Sequence, residues 1–343
     1  MKKYYLLLLV LLTKSFFFVS AQTPQLDRKK FFTDVKPVEM TLSTDMRKLI
    51  SDKLKMTEQP GSVTLRLPDS STFAGEITIR ARGITRKETC NMPPTLLNFK
   101  TSSPSGLSPL HKLKLVSGCS VTSDDERLAL KEYIAYKIYN LLTDMSFRVR
   151  LVHITYVDTK GKAKTYTQYG YLIEDVDAMA KRNNCKDLKK TAVAQERTNR
   201  QQMTLVSLFE YMIANTDWSV MNFHNVKLLQ TKDSIASLPY AVPYDFDYCG
   251  LVNAYYAVTS EVIGTQAVTE RIYRGFPRRM DELQATISIF NQQKENIKNL
   301  IMNFEPLPIK HRKDMMSYIE DFYKIINDKR SVQQAFINDA RTN

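Results

Sequence analysis

The densest run of chemically capable side chains lies between residues 215 and 247. It reads Asn215-Thr216-Asp217-Trp218, then Asn222, then His224-Asn225-Val226-Lys227-Leu228, then Pro243-Tyr244-Asp245-Phe246-Asp247. Asn and Asp offer hard oxygen ligands, which suit magnesium or manganese held through the phosphates of a nucleotide. A carboxylate set apart from them can take a proton from a hydroxyl. These are the parts of phosphoryl transfer, where catalysis is mainly positioning and charge neutralisation. Taken singly, each residue is ordinary: Asp217 can cap a turn, Asn225 can bond a loop, and Asp245 and Asp247 around a Phe also suit calcium or a salt bridge. Asp217 with Asp245 admits a glycosidase reading too, but that leaves the lysines of the front half without a task.

These residues need elements to hold them. Ser62 to Leu67 and Gly75 to Arg82 alternate in the strand manner, and in His111 to Val116 the residues Leu113 and Leu115 face away from Lys112 and Lys114. Leu96 to Phe99 is a further short strand within a loop rich in Pro, Ser and Gly. Asp124 or Asp125 is the expected N-cap of a helix in which Leu130, Ile134, Ile138 and Leu141 share a face, with Glu132 and Tyr136 on another. Arg148 to Val157 and Thr165 to Ile173 read as a hairpin across Asp158-Thr159-Lys160-Gly161. Leu205 to Ala214 reads as an amphipathic helix, Val226 and Tyr240 open two short strands, and from Arg279 two or three helices follow, interrupted at Pro306 and Pro308. A hairpin of those two strands brings Asp217, Asn225 and Asp245 together. The order implies an α+β fold, with a sheet-rich front half, a helical back half and a ligand cleft between them.

The ends and the composition set the compartment. Lys2 and Lys3, an apolar run from Tyr4 to Leu12, and Val19-Ser20-Ala21 read as a signal peptide cleaved after Ala21. Lys14 leaves the apolar run too short for a membrane span, so no transmembrane anchor is expected after cleavage. The chain reads as exported, to periplasm, cell surface or medium. Loss of residues 1–21 removes three lysines and no acid, and lowers the formal charge from +13 to +10. That surplus favours anionic partners. Basic residues are scattered apart from a denser stretch at 181–190, and nothing marks a nucleic-acid reader. Four cysteines allow three pairings, of which Cys90 with Cys119 is preferred because both flank one sheet region. With four dispersed histidines, structural zinc is not expected.

The sequence resembles the CotH-like kinases, the atypical secreted kinases named after spore coat protein H. The resemblance runs over about residues 75–250 in Arg80-Ala81-Arg82-Gly83, His111-Lys112-Leu113-Lys114-Leu115 and Tyr169-Gly170-Tyr171-Leu172-Ile173-Glu174-Asp175-Val176-Asp177. It continues in Asn215-Thr216-Asp217, in His224-Asn225 followed by Leu228, and in Pro243-Tyr244-Asp245-Phe246-Asp247. It implies an atypical protein-kinase-like two-lobed fold: a signal peptide 1–21, an N-terminal extension 22–60, an N-lobe and hinge 61–177, and a helical C-lobe 178–343 carrying the catalytic and metal loops. It further implies ATP with Mg2+ or Mn2+ and a hydroxyl on an exported protein as acceptor.

By position, Lys112 or Lys114 would reach the phosphates with Glu132 as ion-pair partner, and Glu174 to Val176 would meet the adenine. Asp217 would be the base, with Asn225 and Asp245 as metal ligands. Asp247 would assist the metal or orient Asp245, and Arg82 would touch phosphate or stabilise its turn. Two departures stand out. Gly83 is followed by Ile84-Thr85-Arg86 and then Cys90, where the family usually has Asn-Ser-Ser or similar; and ordinary protein-kinase spacing points to Asn222, whereas the family match points to Asn225. A catalytically silent kinase-like scaffold is the alternative function.

Overall fold

The computed structural model describes residues 25–99, 106–189, 191–234, 236–259 and 263–341. The expected signal peptide lies outside the described residues. In chain order the front half contains α1 (Arg28–Thr33), β1 (Val38–Thr44), α2 (Met46–Ser51), β2 (Gln59–Arg66), β3 (Thr72–Ala81) and α3 (Thr85–Thr89). It continues with β4 (Thr95–Asn98), β5 (Lys112–Ser117), α4 (Ser123–Leu142), β6 (Val149–Asp158) and β7 (Tyr166–Ile173). The back half contains α5 (Val176–Arg182), β8 (Cys185–Asp187), α6 (Arg200–Met212), β9 (Val226–Thr231) and β10 (Tyr240–Pro243). It closes with α7 (Met280–Met302), α8 (Ile309–Ile326) and α9 (Lys329–Gln333).

This is an α+β architecture with a sheet-rich front and a helical rear. The front sheet closes into a seven-stranded barrel in the order β1-β2-β3-β4-β5-β7-β6. Closure is made by β1, which runs antiparallel to β2 and parallel to β6. Residues 22–60, expected as an extension ahead of the N-lobe, instead supply β1 and the start of β2 to the barrel. Val38, Met40 and Leu42 alternate into the barrel core, and Phe31 and Phe32 of α1 join the same core.

Alternation along the shared wall builds two cores at once. Leu113, Leu115 and Leu172 point into the barrel, while Val116, Tyr171 and Ile173 point out onto α4 and the helical rear. Each such buried apolar side chain contributes about 1.5–3 kcal/mol relative to exposure. Gly170 lets β5 and β7 approach, since a Cβ there would meet the Val116 carbonyl at 2.6 Å. The expected 158–161 turn does join β6 to β7.

Helix α4 is the axle between the two cores. Its N-cap is Thr122, not Asp124 or Asp125. The Asp125 carboxylate is instead buried, accepting hydrogen bonds from Ser120, Thr122 and Tyr255. A Thr cap leaves that carboxylate free to tie down loops on both sides of the helix start. The back half carries a three-stranded sheet, β10-β9-β8, whose β9–β10 hairpin presents the candidate residues. No helix among the described residues is long and apolar enough to cross a membrane.

Candidate functional site

Three short backbone segments build the rear wall of the site. After α6, Ala214 takes a left-handed φ of 51° and turns the chain. The Asn215 side-chain oxygen then accepts the Asp217 N–H at 3.0 Å. The loop 219–224 closes on itself through Ser219 and His224, returning the chain to Asn225 and β9. Tyr244 donates its N–H to the Asn225 carbonyl at 2.9 Å, extending the hairpin by one rung and setting Asp245 beside Asn225. Both Asn225 (φ 53°) and Asp245 (φ 68°) are in the left-handed region, which Asn and Asp tolerate better than most side chains.

Asp217 is held from two sides. His224 Nε2 lies 2.7 Å from its Oδ1, and Asn225 Nδ2 donates to its Oδ2 at 3.0 Å and to its carbonyl at 2.8 Å. The carboxylate keeps 39% side-chain exposure, so it is fixed yet reachable. Asn222 sits exposed in the 219–224 loop, where its backbone N–H meets Ser219 Oγ. It is Asn225 that contacts Asp217. Two supports were not singled out in the sequence: His224, and Arg274, whose guanidinium donates to the carbonyls of Thr216 and Trp218 and packs over the Trp218 ring. The His-Asn dipeptide was a signal for the first; nothing local marks the second.

Across from this loop, Glu132 on α4 meets Asp245 and Asp247. One oxygen from each lies within 4.8 Å of the others. Glu132 and Asp247 are buried, whereas Asp245 is half-buried. Burial, reinforced by the neighbouring carboxylates, pushes the ionisation of Glu132 and of Asp247 upward. Asp245 is anchored by its backbone N–H, which donates to Tyr136 Oη at 2.8 Å.

The expected lysine partner of Glu132 is corrected. Arg86 takes that place, its Nη1 3.6 Å from Glu132 Oε2 and its Nη2 bonded to the Ser117 carbonyl at 2.7 Å. Arg86 reaches inward because Gly83, at φ 95°, turns the chain into α3, and because the Cys90–Cys119 disulfide clips the end of α3 to the strand-end of β5. The preferred cysteine pairing is therefore present, and Cys185 and Cys249 are free and buried.

Lys114 faces Asp245 from the barrel wall. Its Nζ sits 4.9 Å from the centre of the Tyr244 ring. Burial and the adjacent Arg82 lower its pKa to about 8, with Asp245 opposing them. Arg82 thus adds positive charge to the same corner. Lys112, two residues earlier on the same face, is exposed at the strand's far end.

Lys112, Glu174 and Val176 line a separate cavity of about 1040 Å3, together with Arg148, Asp175 and Arg182. None of Asp217, Asn225 and Asp245 lines it. The Glu174 carboxylate is committed to Arg182 at 3.0 Å and to the Arg148 N–H at 3.1 Å. Only the backbone of this segment is therefore left to meet a ligand.

No family model matches the chain, and no curated protein matches it. Among solved structures it is similar to the crystal structure of a Helicobacter pylori proinflammatory kinase, CtkA, at 12% identity over 80% of this chain and 92% of that one, with a TM-score of 0.35. A likeness of that depth leaves the functional assignment to the residues themselves.

Proposed function

We propose that the chain is an exported CotH-like kinase that transfers phosphate from ATP to a hydroxyl of an exported protein. The observation that carries this reading is the arrangement around Asp217. Its carboxylate is gripped by His224 and Asn225 yet half open, next to the β9–β10 hairpin that leads to Asp245, the carboxylate that Lys114 faces. A carboxylate has more acceptor sites than these two bonds occupy, so an incoming hydroxyl can donate to Asp217 and lose its proton there. Asn225 holds the base and, through its side-chain oxygen, is suited to hold Mg2+ or Mn2+ with Asp245.

The residues fit such an ion: no hydrogen bond to the Asp245 carboxylate is found among the described residues, and two further carboxylates adjoin it. When bound, the metal supplies charge neutralisation and alignment of the phosphates. Lys114 and Arg82 supply positive charge from the barrel side, and Asp247 orients Asp245 or shares the ion. The cavity at 174–176 would take the adenine against the backbone. Export is supported by the Lys2–Ala21 pattern and by the disulfide, which favours an oxidising compartment.

The test is thermal denaturation of the mature chain with ATP and Mg2+ or Mn2+, followed by transfer of radiolabelled phosphate to exported proteins. A ligand that binds only the native state must raise its apparent stability. Asp217→Ala should abolish transfer and keep the shift, whereas Asp245→Ala should abolish both. Absence of any shift at millimolar nucleotide would return the chain to the silent-scaffold reading.

A further inference from the structure

The helix glutamate is the residue whose surroundings depart furthest from the role its sequence position implies. Glu132 has no lysine partner. It is 1% exposed, and its Oε2 makes no hydrogen bond. The buried hydroxyl of Tyr171 lies beside the same carboxylate and is its neutral hydrogen-bonding neighbour. A buried carboxylate oxygen left without a hydrogen bond is costly, and native proteins rarely keep one without a ligand or ion. The cation paired with Glu132 is the Arg86 guanidinium, and its 3.6 Å separation is longer than a hydrogen bond. Arg86 faces Glu132 and Asp247, Lys114 faces Asp245, and the oxygens of the three carboxylates lie within 4.8 Å of one another.

From this geometry we infer that Glu132 is a direct ligand of the divalent cation, completing with Asp245 and Asp247 a carboxylate face, and that Arg86 is its resident countercharge. The inference rests on the metal-dependent reading above and adds a ligand to it. Three observations converge. The donor set is all oxygen, as hard cations such as Mg2+ and Mn2+ require. Asp245, the least buried of the three, forms the open side through which a cation and its nucleotide would enter. Arg86 is held back by its bond to the Ser117 carbonyl, so it neutralises one charge from behind and does not fill the centre. Lys114, released from Glu132, remains free to meet phosphate, which explains how a chain with a displaced lysine–glutamate pair can keep both charges in use.

The experiment is Mn2+ binding to the full mature chain without nucleotide, followed by electron paramagnetic resonance. Glu132→Gln and Asp245→Asn should each weaken Mn2+ by about tenfold or more, since even residues that only support a metal's ligands cost that much. Because Glu132→Gln alters a buried pair, an independent measurement accompanies it: crystals of the unmutated protein soaked in Mn2+ should give an anomalous peak about 2.0–2.6 Å from a Glu132 oxygen. Loss of binding in Asp245→Asn with unchanged binding in Glu132→Gln overturns the inference and leaves the phosphotransfer reading standing, as does a peak held by Asp245 and Asp247 but out of reach of Glu132. No Mn2+ binding by the unmutated chain overturns both.

Discussion

The cavity at residues 174–176 and the carboxylate cluster at 132, 245 and 247 share no residue, and their charges are arranged in opposite ways. Around the cavity, acids and bases are matched: Arg28 with Asp175, Arg182 with Glu174 and Asp144, Arg148 with Asp144. At the cluster, three carboxylates crowd together with Arg86 and Lys114 at their edges, one buried oxygen lacks a hydrogen bond, and Asp245 is held at positive φ. Glu210, next to Asn215 of the Asp217 loop, is likewise a buried carboxylate with no ion pair among the described residues. Matched networks hold a shape. Unmatched ones cost stability in the free protein, and strain of that sort concentrates where a ligand or a reaction recovers it.

The sharpest break between the two regions should come in turnover. Asp217→Ala should lower transfer of labelled phosphate about 10²–10⁴-fold; retention of activity would remove the base from the scheme. Opening the Cys90–Cys119 bridge, by Cys90→Ser with Cys119→Ser, should cost about 3.6 kcal/mol in urea denaturation, the loop-closure value for its separation of 29 residues. The same change should weaken Mn2+ binding, because the bridge clips α3 and Arg86 to β5. Asp245→Asn should show two signs at once. The ligand-induced stabilisation, about 2.7 kcal/mol at a hundredfold excess over Kd, should vanish, while the ligand-free protein should melt at a higher temperature because a like charge has left Glu132 and Asp247. Lower stability there would mean that the cluster is a structural network after all.

Glu174→Gln should do the reverse of that second effect, lowering stability by about 2 kcal/mol as Arg182 and the Arg148 N–H lose an ionised acceptor. A neutral result would erase the contrast from the other side. The smallest effect is on pH. Burial raises the Glu210 pKa from 4.5 to about 8. The unfolded chain gives up that proton first, so the stabilisation is complete below about pH 4.5 and is lost as pH rises towards about 8, at no more than about 1.4 kcal/mol per unit. Glu210→Gln should flatten the slope between those limits; an unchanged slope would assign it to other groups.

Much of the framework was readable because it is local. Two-residue alternation in 62–67, 111–116 and 165–173 marks strands whatever they pair with, and the helical spacing of Leu205 to Ile213 marks α6. Asp217, Asn225 and Asp245 could be grouped because they flank one hairpin with short connections. The strand β1 escaped although Val38, Met40 and Leu42 alternate, since its flanks are polar and its parallel partner β6 lies more than a hundred residues away. The equivalence of Lys112 and Lys114 had the same origin: period two sets both on one face, and only packing decides that one meets Tyr244 and Asp245 while the other stays at the exposed end.

Residue type and spacing along the chain by themselves settled most of the strands and helices, which side chains share a face, and which oxygen donors flank one hairpin, because each depends on nearby residues. Barrel closure by β1, the partnership of Arg86 with Glu132, the bracing of the Asp217 loop by Arg274, and the split between a cavity of paired charges and a cluster of crowded carboxylates were decided by tertiary structure alone. Those depend on which surfaces are desolvated together, and Coulomb and hydrogen-bond energies become decisive only once distant segments have excluded water between them.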